Sequence, residues 1–147
     1  MCEIPSNMNK DGPIVVIEDD LDDQHVFSMV FKDLHYPNEI VFLSDGEAAL
    51  HYLNTKDIFP FLVFSDINLP KLDGIELRKL VHANEDLSKK CIPYLFFTTS
   101  ANKKSVSEAY ATSVQGFFIK PMDFGKLKNT IRKIVEYWQE CYSPNDF

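Results

Sequence analysis

The sequence predicts an α/β fold, a doubly wound (βα)5 sandwich in which five parallel strands form one sheet with helices on both faces. The main support is a regular alternation of short apolar runs with longer segments whose apolar residues recur at helical spacing. Such alternation is typical of strands joined by crossover helices. The chain has 147 residues, 45% of them hydrophobic, which suits one domain with a full core.

The strands are predicted from apolar runs that are continuous rather than alternating, as expected for strands covered on both faces. The first run follows Gly12-Pro13, and the third, Phe-Leu-Val-Phe-Ser, ends immediately before Asp66. Runs of Pro-Tyr-Leu-Phe-Phe-Thr and Gly-Phe-Phe-Ile predict the last two strands. In chain order the five predicted strands are residues 14–17, 39–43, 61–65, 93–98 and 116–119.

The helices are predicted from the spacing of their apolar residues and from the turns that precede them. Asp45-Gly46 introduces the second helix and Asp73-Gly74 the third. Asp73 is also the better candidate to cap the third helix, so Asp66 is not needed as a cap and is a candidate functional residue. The polar connection at residues 84–92 is predicted to be an exposed loop. In chain order the predicted helices are residues 22–34, 47–53, 74–84, 105–113 and 124–141.

Residues 13–141 are predicted to form the domain, with residues 1–12 as a flexible polar leader and residues 142–147 as a short tail. No apolar run approaches the length of about 18 residues that a membrane-spanning helix needs, and the leader lacks the apolar core of a secretory signal. A formal net charge of −7 argues against nucleic acid as a partner. Three distant cysteines without a C-x-x-C pair fit reduced thiols in a cytoplasmic protein.

Polar side chains mark the ends of four predicted strands. Glu18 and Asp19 follow the first strand, Asp66 follows the third, Thr98 closes the fourth and Lys120 follows the fifth. Because the carboxyl ends of parallel strands share one edge, these side chains are expected to converge there, with Thr98 and Lys120 outside the core. Clustered carboxylates need a compensating cation, and Mg²⁺ prefers oxygen ligands. A hydroxyl and an ammonium beside them would suit a phosphoryl group.

The acids between Glu18 and Asp23 fall into two groups. Asp20 continues the strand-end set. Asp22 and Asp23 are assigned to the first turn of the following helix, where the helix dipole favours negative charge. That assignment gives Asp22 and Asp23 no part in the strand-end site.

Four motifs at these strand ends, VVIEDD, SDINLPKLDG, FFTTS and FFIKP, resemble the receiver domain of two-component response regulators. The resemblance covers residues 13–141 and implies the flavodoxin-like version of the predicted fold. The ending FFIKPMDFGKLKNTIRKIVEYW and the polar loop before the fourth strand are more similar to stand-alone receivers that are paired with phytochrome-type histidine kinases.

The resemblance implies a metal site and an acceptor. Asp66 would be the phosphoacceptor, which attacks a phosphohistidine of a partner kinase and forms an acyl phosphate. Glu18 and Asp19 would form the acidic pair that binds Mg²⁺ together with Asp66, with Asp19 as the likelier direct ligand of the two. Asn68 would offer its main-chain carbonyl oxygen to the same ion.

The resemblance also implies a switch. Lys120 would pair with one phosphoryl oxygen, and the hydroxyl of Thr98 would bond another. Phe117 takes the position of the aromatic switch residue and would move into the space that Thr98 vacates. Thr99 departs from the small alanine that is common next to the switch threonine, which would narrow access for the phosphodonor.

The implied function is that of a single-domain response regulator in a two-component phosphorelay. The protein would accept a phosphoryl group from a sensor histidine kinase. It would then signal by phosphorylation-dependent binding to a downstream target or a phosphotransfer protein. It would not be an enzyme beyond catalysing its own phosphorylation and dephosphorylation, and neither nucleic acid nor a membrane is an expected partner.

Three other interpretations are weaker. A phosphatase or transferase with an aspartyl-phosphate intermediate would use a second aspartate two residues after the first, where this chain has Asn68. A degenerate receiver would act only as a docking module, but all the expected reactive residues are present. A flavodoxin-like electron carrier would share the fold, but only acids follow the first strand, and these would repel a flavin phosphate.

Self-association is predicted through the last two strand–helix units, weak in the unphosphorylated protein and stronger after phosphorylation. Tyr137, Trp138 and Tyr142 lie near the end of a helix whose inner stripe is already filled by Leu127 and Ile131, among others. Surplus aromatic residues of this kind often mark an interface. The alternatives are that Trp138 only closes the bottom of the core, or that a kinase contacts this patch.

Overall fold

The computed structural model describes residues 9–142, which form five strands and six helices. The strands are β1 (Ile14–Ile17), β2 (Ile40–Leu43), β3 (Leu62–Ser65), β4 (Tyr94–Thr98) and β5 (Gly116–Ile119). The helices are α1 (Leu21–Leu34), α2 (Gly46–Leu53), α3 (Gly74–Ala83), α4 (Glu85–Ser88), α5 (Lys103–Ala111) and α6 (Phe124–Glu140). Most of the predicted leader and tail lies outside the described residues, and the domain bounds therefore stay a prediction.

All five strands run parallel in one sheet with the order β2-β1-β3-β4-β5. The three central strands, β1, β3 and β4, are buried at every position, whereas the edge strands β2 and β5 are mostly half-exposed. Central strands are covered on both faces, which explains why their apolar runs are continuous. The predicted parallel sheet is confirmed, and its strands all point their carboxyl ends at one edge.

The helices cover the two faces of the sheet and form a separate apolar layer on each. On the face of α1 and α6, the Phe97 ring packs edge-on against Phe27 and Phe64, with ring centroids 6.1 and 5.4 Å apart. On the face of α2, α3 and α5, Tyr94 and Phe96 make a similar contact at 5.6 Å. Aromatic pairs at these separations add to the stability from burial alone. This two-layer packing is the predicted doubly wound sandwich.

An aspartate or asparagine caps the N-terminus of every described helix. Asp73 accepts a hydrogen bond from the Glu76 N–H at 2.9 Å and caps α3, as predicted. Asp20 does not join the strand-end set. It caps α1 by accepting from the N–H groups of Asp22 and Asp23 at 2.8 and 3.1 Å. The prediction for Asp20 is wrong because a carboxylate just before a helix satisfies N–H groups that have no partner within the helix.

Residues 84–92 are not the exposed loop that their polarity predicts. They contain the short helix α4, whose Leu87 is only 2% exposed. Lys90 is 8% exposed. Its ammonium donates to three main-chain carbonyl oxygens, those of Leu53, Thr55 and Ile58, at 3.0, 3.2 and 2.7 Å. A lysine can be buried in this way because its long apolar stem packs while its charged end finds acceptors.

One helix also differs from the prediction at both ends, since α5 ends at Ala111 rather than at Ser113. α5 begins at Lys103 rather than at Ser105, because Asn102 and Ser105 form a capping box that satisfies the first N–H groups of the helix. The bounds of the other predicted elements differ from the structure by no more than one residue.

α6 is the longest of the described helices, with 17 residues. It lays its predicted inner stripe against the sheet, with Leu127, Ile131, Ile134 and Val135 buried and Trp138 half-buried. No helix within residues 9–142 is both long and apolar enough to cross a membrane.

Candidate functional site

The predicted strand-end residues meet at the carboxyl edge of the sheet, because main-chain hydrogen bonds hold the strand ends side by side. The Asp66 N–H donates to Ile17 O at 2.9 Å, which sets β3 beside the end of β1. The Lys120 N–H donates to Thr98 O at 2.7 Å, which sets the end of β5 beside β4. Side chains that are far apart in the sequence are therefore brought to one place.

The ammonium of Lys120 is the centre of this site. It contacts three carboxylates: that of Glu18, that of Asp23 at 3.0 Å and that of Asp66 at 3.3 Å. The Lys120 side chain is only 9% exposed. An ammonium has three donors and no acceptor, so these three carboxylates use its full capacity.

Glu18 is the buried acid of the site, with 1% of its surface exposed. Burial raises its pKa to about 8, and the hydrogen bond with Asp23 adds to the rise against the opposing effect of Lys120. Burial also acts to raise the pKa of Asp23, but its bonds to Glu18 and Lys120 hold that pKa below the ordinary value. In the protein without a metal, Glu18 is thus the acid of this pair that holds a proton more readily.

Burial alone would lower the pKa of Lys120. The hydrogen bond to Glu18 and the negative charges of Asp66 and Glu18 outweigh burial, and the pKa is raised above its ordinary value. Lys120 therefore stays charged over the whole physiological range of pH. It is the fixed positive charge of a site that is otherwise acidic.

Three of the acids have the arrangement of a metal site. One oxygen from each of Glu18, Asp19 and Asp66 lies within 4.8 Å of the other two. Three carboxylate oxygens at this spacing fit a hard divalent cation such as Mg²⁺, which takes few protein ligands and keeps several waters.

Asp66 is held by its own loop. Its Oδ1 accepts from the Ile67 N–H at 2.7 Å and, in a longer contact of 3.4 Å, from the Asn68 N–H. Its Oδ2 faces Lys120. Gly74 lets the loop close, since a Cβ at that position would lie 2.2 Å from Asp66 O. One oxygen of Asp66 is thus fixed by the main chain while the other is turned to the charged site.

Thr98 and Phe117 lie next to this edge, and Thr98 is buried rather than outside the core as expected. Thr98 is 1% exposed, and its hydroxyl has no hydrogen-bond partner among the described residues. The expectation that Thr98 lies outside the core is wrong because β4 is a central strand with β3 on one side and β5 on the other. Phe117 is half-buried on β5 and packs against Phe96, with ring centroids 6.2 Å apart.

Asp23 is the site residue that the sequence analysis missed. It does lie in the first turn of α1, as predicted, but its carboxylate also contacts Lys120. The helix starts at the carboxyl end of β1, so an acid in its first turn can reach the same edge as Glu18. The signal was available, because a crossover helix in this fold begins at the functional edge of the sheet.

The family model that matches this chain is the response regulator receiver domain, over residues 14–132. The chain therefore belongs to the receiver domain family of response regulators. Among curated relatives, chemotaxis protein CheY-3 of Vibrio cholerae is 33% identical over 88% of this chain and 95% of its own length. Response regulator Rcp1 of Synechocystis is 30% identical over 86% of this chain and 88% of its own length.

A further curated relative and two solved structures are also similar to this chain. The probable methanogenesis regulatory protein FilR2 of Methanothrix harundinacea is 34% identical over 85% of this chain and 82% of its own length. The Mn²⁺-bound form of Rcp1 has a TM-score of 0.76 at 30% identity, over 90% of this chain and 97% of that one. The phosphorylated cyanobacterial phytochrome response regulator RcpA also scores 0.76, at 26% identity, over 88% and 94% of the two chains.

These similarities confirm the predicted fold class and the resemblance to receiver domains. They extend over nearly the full length of the two solved structures.

Proposed function

We propose that this receiver accepts a phosphoryl group on Asp66 from a phosphohistidine of a sensor histidine kinase. The observation that carries the proposal is the position of the Asp66 carboxylate. It lies at the end of a central strand, has one oxygen 3.3 Å from the Lys120 ammonium, and belongs to a set of three acids with metal-site spacing. Since Asp73 caps α3, Asp66 has no helix to cap.

In the transfer, an oxygen of Asp66 forms a bond to phosphorus while the bond from phosphorus to the histidine nitrogen breaks. The electron pair of that bond returns to the imidazole, and Asp66 carries an acyl phosphate. Such a transfer depends mainly on positioning and on neutralising charge. Lys120 supplies the protein's own positive charge to the phosphoryl oxygens, and Ile67 N–H keeps the other Asp66 oxygen in place.

A divalent cation fits the same site. Glu18, Asp19 and Asp66 would hold it through carboxylate oxygens, and the main-chain carbonyl of Asn68 would be a further ligand. The cation would supply neutralising charge to the phosphoryl group. The Mn²⁺-bound form of the related Rcp1 supports a divalent cation here, and we propose Mg²⁺ as the ion for this chain.

The switch residues are Thr98 and Phe117. The buried hydroxyl of Thr98 lacks a partner, so a phosphoryl oxygen on Asp66 would give it one. Movement of Thr98 toward that oxygen would open space beside β4, into which the half-buried Phe117 ring turns. The surface of α5 and β5 would then differ between the two states, and binding of a downstream target or a phosphotransfer protein would follow.

Two exposed apolar side chains flank the site and suit a kinase. Leu21, in the first turn of α1, is 75% exposed, and Met122, just after Lys120, is fully exposed. Apolar groups beside a charged centre are typical of a protein contact. A cytoplasmic location and catalysis limited to the protein's own phosphorylation and dephosphorylation are part of the same proposal.

The test is intact mass after incubation with acetyl phosphate. The wild-type protein should gain one phosphoryl group with Mg²⁺ and none in the presence of EDTA. Asp66→Asn should gain none. Asp73→Asn is the matched control, because asparagine caps a helix as well as aspartate does, and it should be modified like the wild type. Equal modification of Asp66→Asn would rule out Asp66 as the acceptor.

A further inference from the structure

Asp23 has a place in the site that differs from that of the other acids. Lys120 contacts Glu18, Asp23 and Asp66. Of these three partners, Glu18 and Asp66 also belong to the set with metal-site spacing, whereas Asp23 is not in the set found among the described residues. The Lys120 ammonium and a divalent cation therefore draw on two of the same carboxylates.

This overlap creates a competition. A cation bound by Glu18 and Asp66 repels the Lys120 ammonium. It also weakens the hydrogen bonds that Lys120 donates to the same carboxylate oxygens. Lys120 is 9% exposed in its side chain, so it cannot exchange those partners freely for water. It needs an anion that the cation leaves free.

Asp23 meets that need. Its Oδ2 lies 3.0 Å from the Lys120 nitrogen, and its side chain is 37% exposed, at the mouth of the site. Its main chain is fixed in the first turn of α1, where Asp20 accepts from the Asp23 N–H at 3.1 Å. The carboxylate is thus attached to a rigid element and reaches Lys120 from the side of α1.

We propose that Asp23 is a positioning residue that holds the Lys120 ammonium beside Asp66 while Glu18 and Asp66 bind a divalent cation. This inference rests on the proposed function of the same site. Asp23 acts through Lys120 and contacts neither the cation nor the phosphoryl group. Without Asp23, Lys120 remains on Glu18 and Asp66, and the cation must displace it.

The first test is the affinity for Mg²⁺, measured by calorimetry on the full chain. Asp23→Asn should weaken binding about threefold to fivefold, the range expected for losing one partly exposed ion pair. Asp22→Asn is the matched control. It removes the same charge from the same helical turn, at an exposed position, and should weaken binding by less than about twofold.

A double-mutant cycle shows whether Asp23 acts through Lys120. In a Lys120→Gln background, or Lys120→Met if the first variant does not fold, Asp23→Asn should have no larger effect than Asp22→Asn. At saturating Mg²⁺, Asp23→Asn should also be phosphorylated more slowly by acetyl phosphate, and Asp23→Glu should recover most of the rate.

Two results would overturn the inference. Equal Mg²⁺ affinities of Asp23→Asn and Asp22→Asn would show that Asp23 contributes only general negative charge. An undiminished effect of Asp23→Asn in the Lys120 variants would show that it does not act through Lys120. If the wild-type protein binds no divalent cation and is not phosphorylated on Asp66, the proposed function fails as well, which distinguishes that outcome from the other two.

Discussion

Glu18 makes the stability of the metal-free protein depend on pH. Its pKa is raised from an ordinary 4.5 to about 8, so between these values the folded protein keeps a proton that the unfolded chain releases. The folded state binds more protons in this window, and the free energy of unfolding therefore falls as pH rises through it. Asp23, with a lowered pKa, and Lys120, with a raised one, titrate outside the window.

We predict that the free energy of unfolding in EDTA, measured with urea, falls between about pH 5 and pH 8. Glu18→Gln should flatten this dependence, because glutamine cannot lose the proton. An unchanged slope in Glu18→Gln would show that another group is responsible. Added Mg²⁺ should oppose the fall in the wild type, since the cation stabilises the charged carboxylate.

Lys120 should contribute to stability as well as to function. Lys120→Ala leaves the carboxylates of Asp23 and Asp66 without their cation and Glu18 without a hydrogen-bond donor. We expect a loss of about 2 kcal/mol in EDTA, below that of a fully buried pair because Asp23 is partly open to solvent. Mg²⁺ should restore much of the loss. The measurement is urea unfolding with and without Mg²⁺.

A surface pair serves as the control for Lys120. Lys128 lies 3.5 Å from Asp33 in a pair that is open to solvent. Lys128→Ala should change the free energy of unfolding by less than about 1 kcal/mol. This difference from the wild type should be the same with and without Mg²⁺. If Lys120→Ala is as stable as Lys128→Ala in EDTA, the ion pairs of Lys120 do not stabilise the fold.

At the residue scale, the sequence predicted the acids and the lysine that follow strands, because strand ends in a parallel sheet have one shared edge. It did not predict the role of Asp23, because an acid in a first helical turn is explained equally well by the helix dipole. The burial of Thr98 was missed for another reason. It depends on which strands lie beside β4, and a single strand's sequence does not contain that information.

At the scale of elements, α4 and Lys90 fasten one end of the molecule. The Lys90 ammonium donates to three carbonyl oxygens between α2 and β3, and it lies 5.1 Å from the centre of the Phe59 ring. Lys90 thus ties the segment after α2 to the segment before β4.

We predict that Lys90→Ala lowers the free energy of unfolding by about 2 kcal/mol, because it removes the charged hydrogen bonds that the buried Lys90 ammonium donates. Lys89→Ala is the matched control, since Lys89 is the exposed neighbour in the same turn. It should change stability by no more than about 0.5 kcal/mol. Urea unfolding of both variants is the measurement, and equal stabilities would contradict the role assigned to Lys90.

The sequence could not distinguish α4 from a loop. Only one apolar residue, Leu87, stands among polar neighbours, so there is no repeated spacing to indicate a helix. Its burial depends on the apolar layer that it shares with α2, α3 and β4. The burial of Lys90 depends on carbonyl groups more than thirty residues away in the chain. The longer helices were predicted closely because their apolar stripes are long enough to repeat.

At the scale of the whole molecule, the alternation of strands and helices was sufficient for the fold class but not for the order of the strands. The order β2-β1-β3-β4-β5 makes β5 an edge strand, which leaves it and the neighbouring surface of α6 open on one side. An open cleft of about 500 Å³ lies there, lined by Leu95, Phe118, Ile134, Tyr137 and Trp138, among others. This is the region where the sequence predicts self-association.

The residues of the predicted aromatic patch differ in their exposure to solvent. Trp138 packs half-buried against the core and meets Tyr137 edge-on at 5.1 Å, which supports the alternative that it closes the core. Tyr137 is 63% exposed, and Ile119 on β5 is 59% exposed. Tyr137, rather than Trp138, is therefore the aromatic side chain of α6 that is open to a partner.

We predict a dimer through β5 and α6 that is weak in the unphosphorylated protein and stronger with a stable acyl-phosphate mimic, because the proposed switch residue Phe117 lies on β5. Sedimentation velocity in both states measures it. Tyr137→Ser should weaken association in both states, while Leu80→Ser, which removes an apolar side chain of 47% exposure from α3 on the other face of the sheet, should not. A monomer in both states at tens of micromolar would exclude the dimer, and the exposed Tyr137 would then be left for a different protein partner.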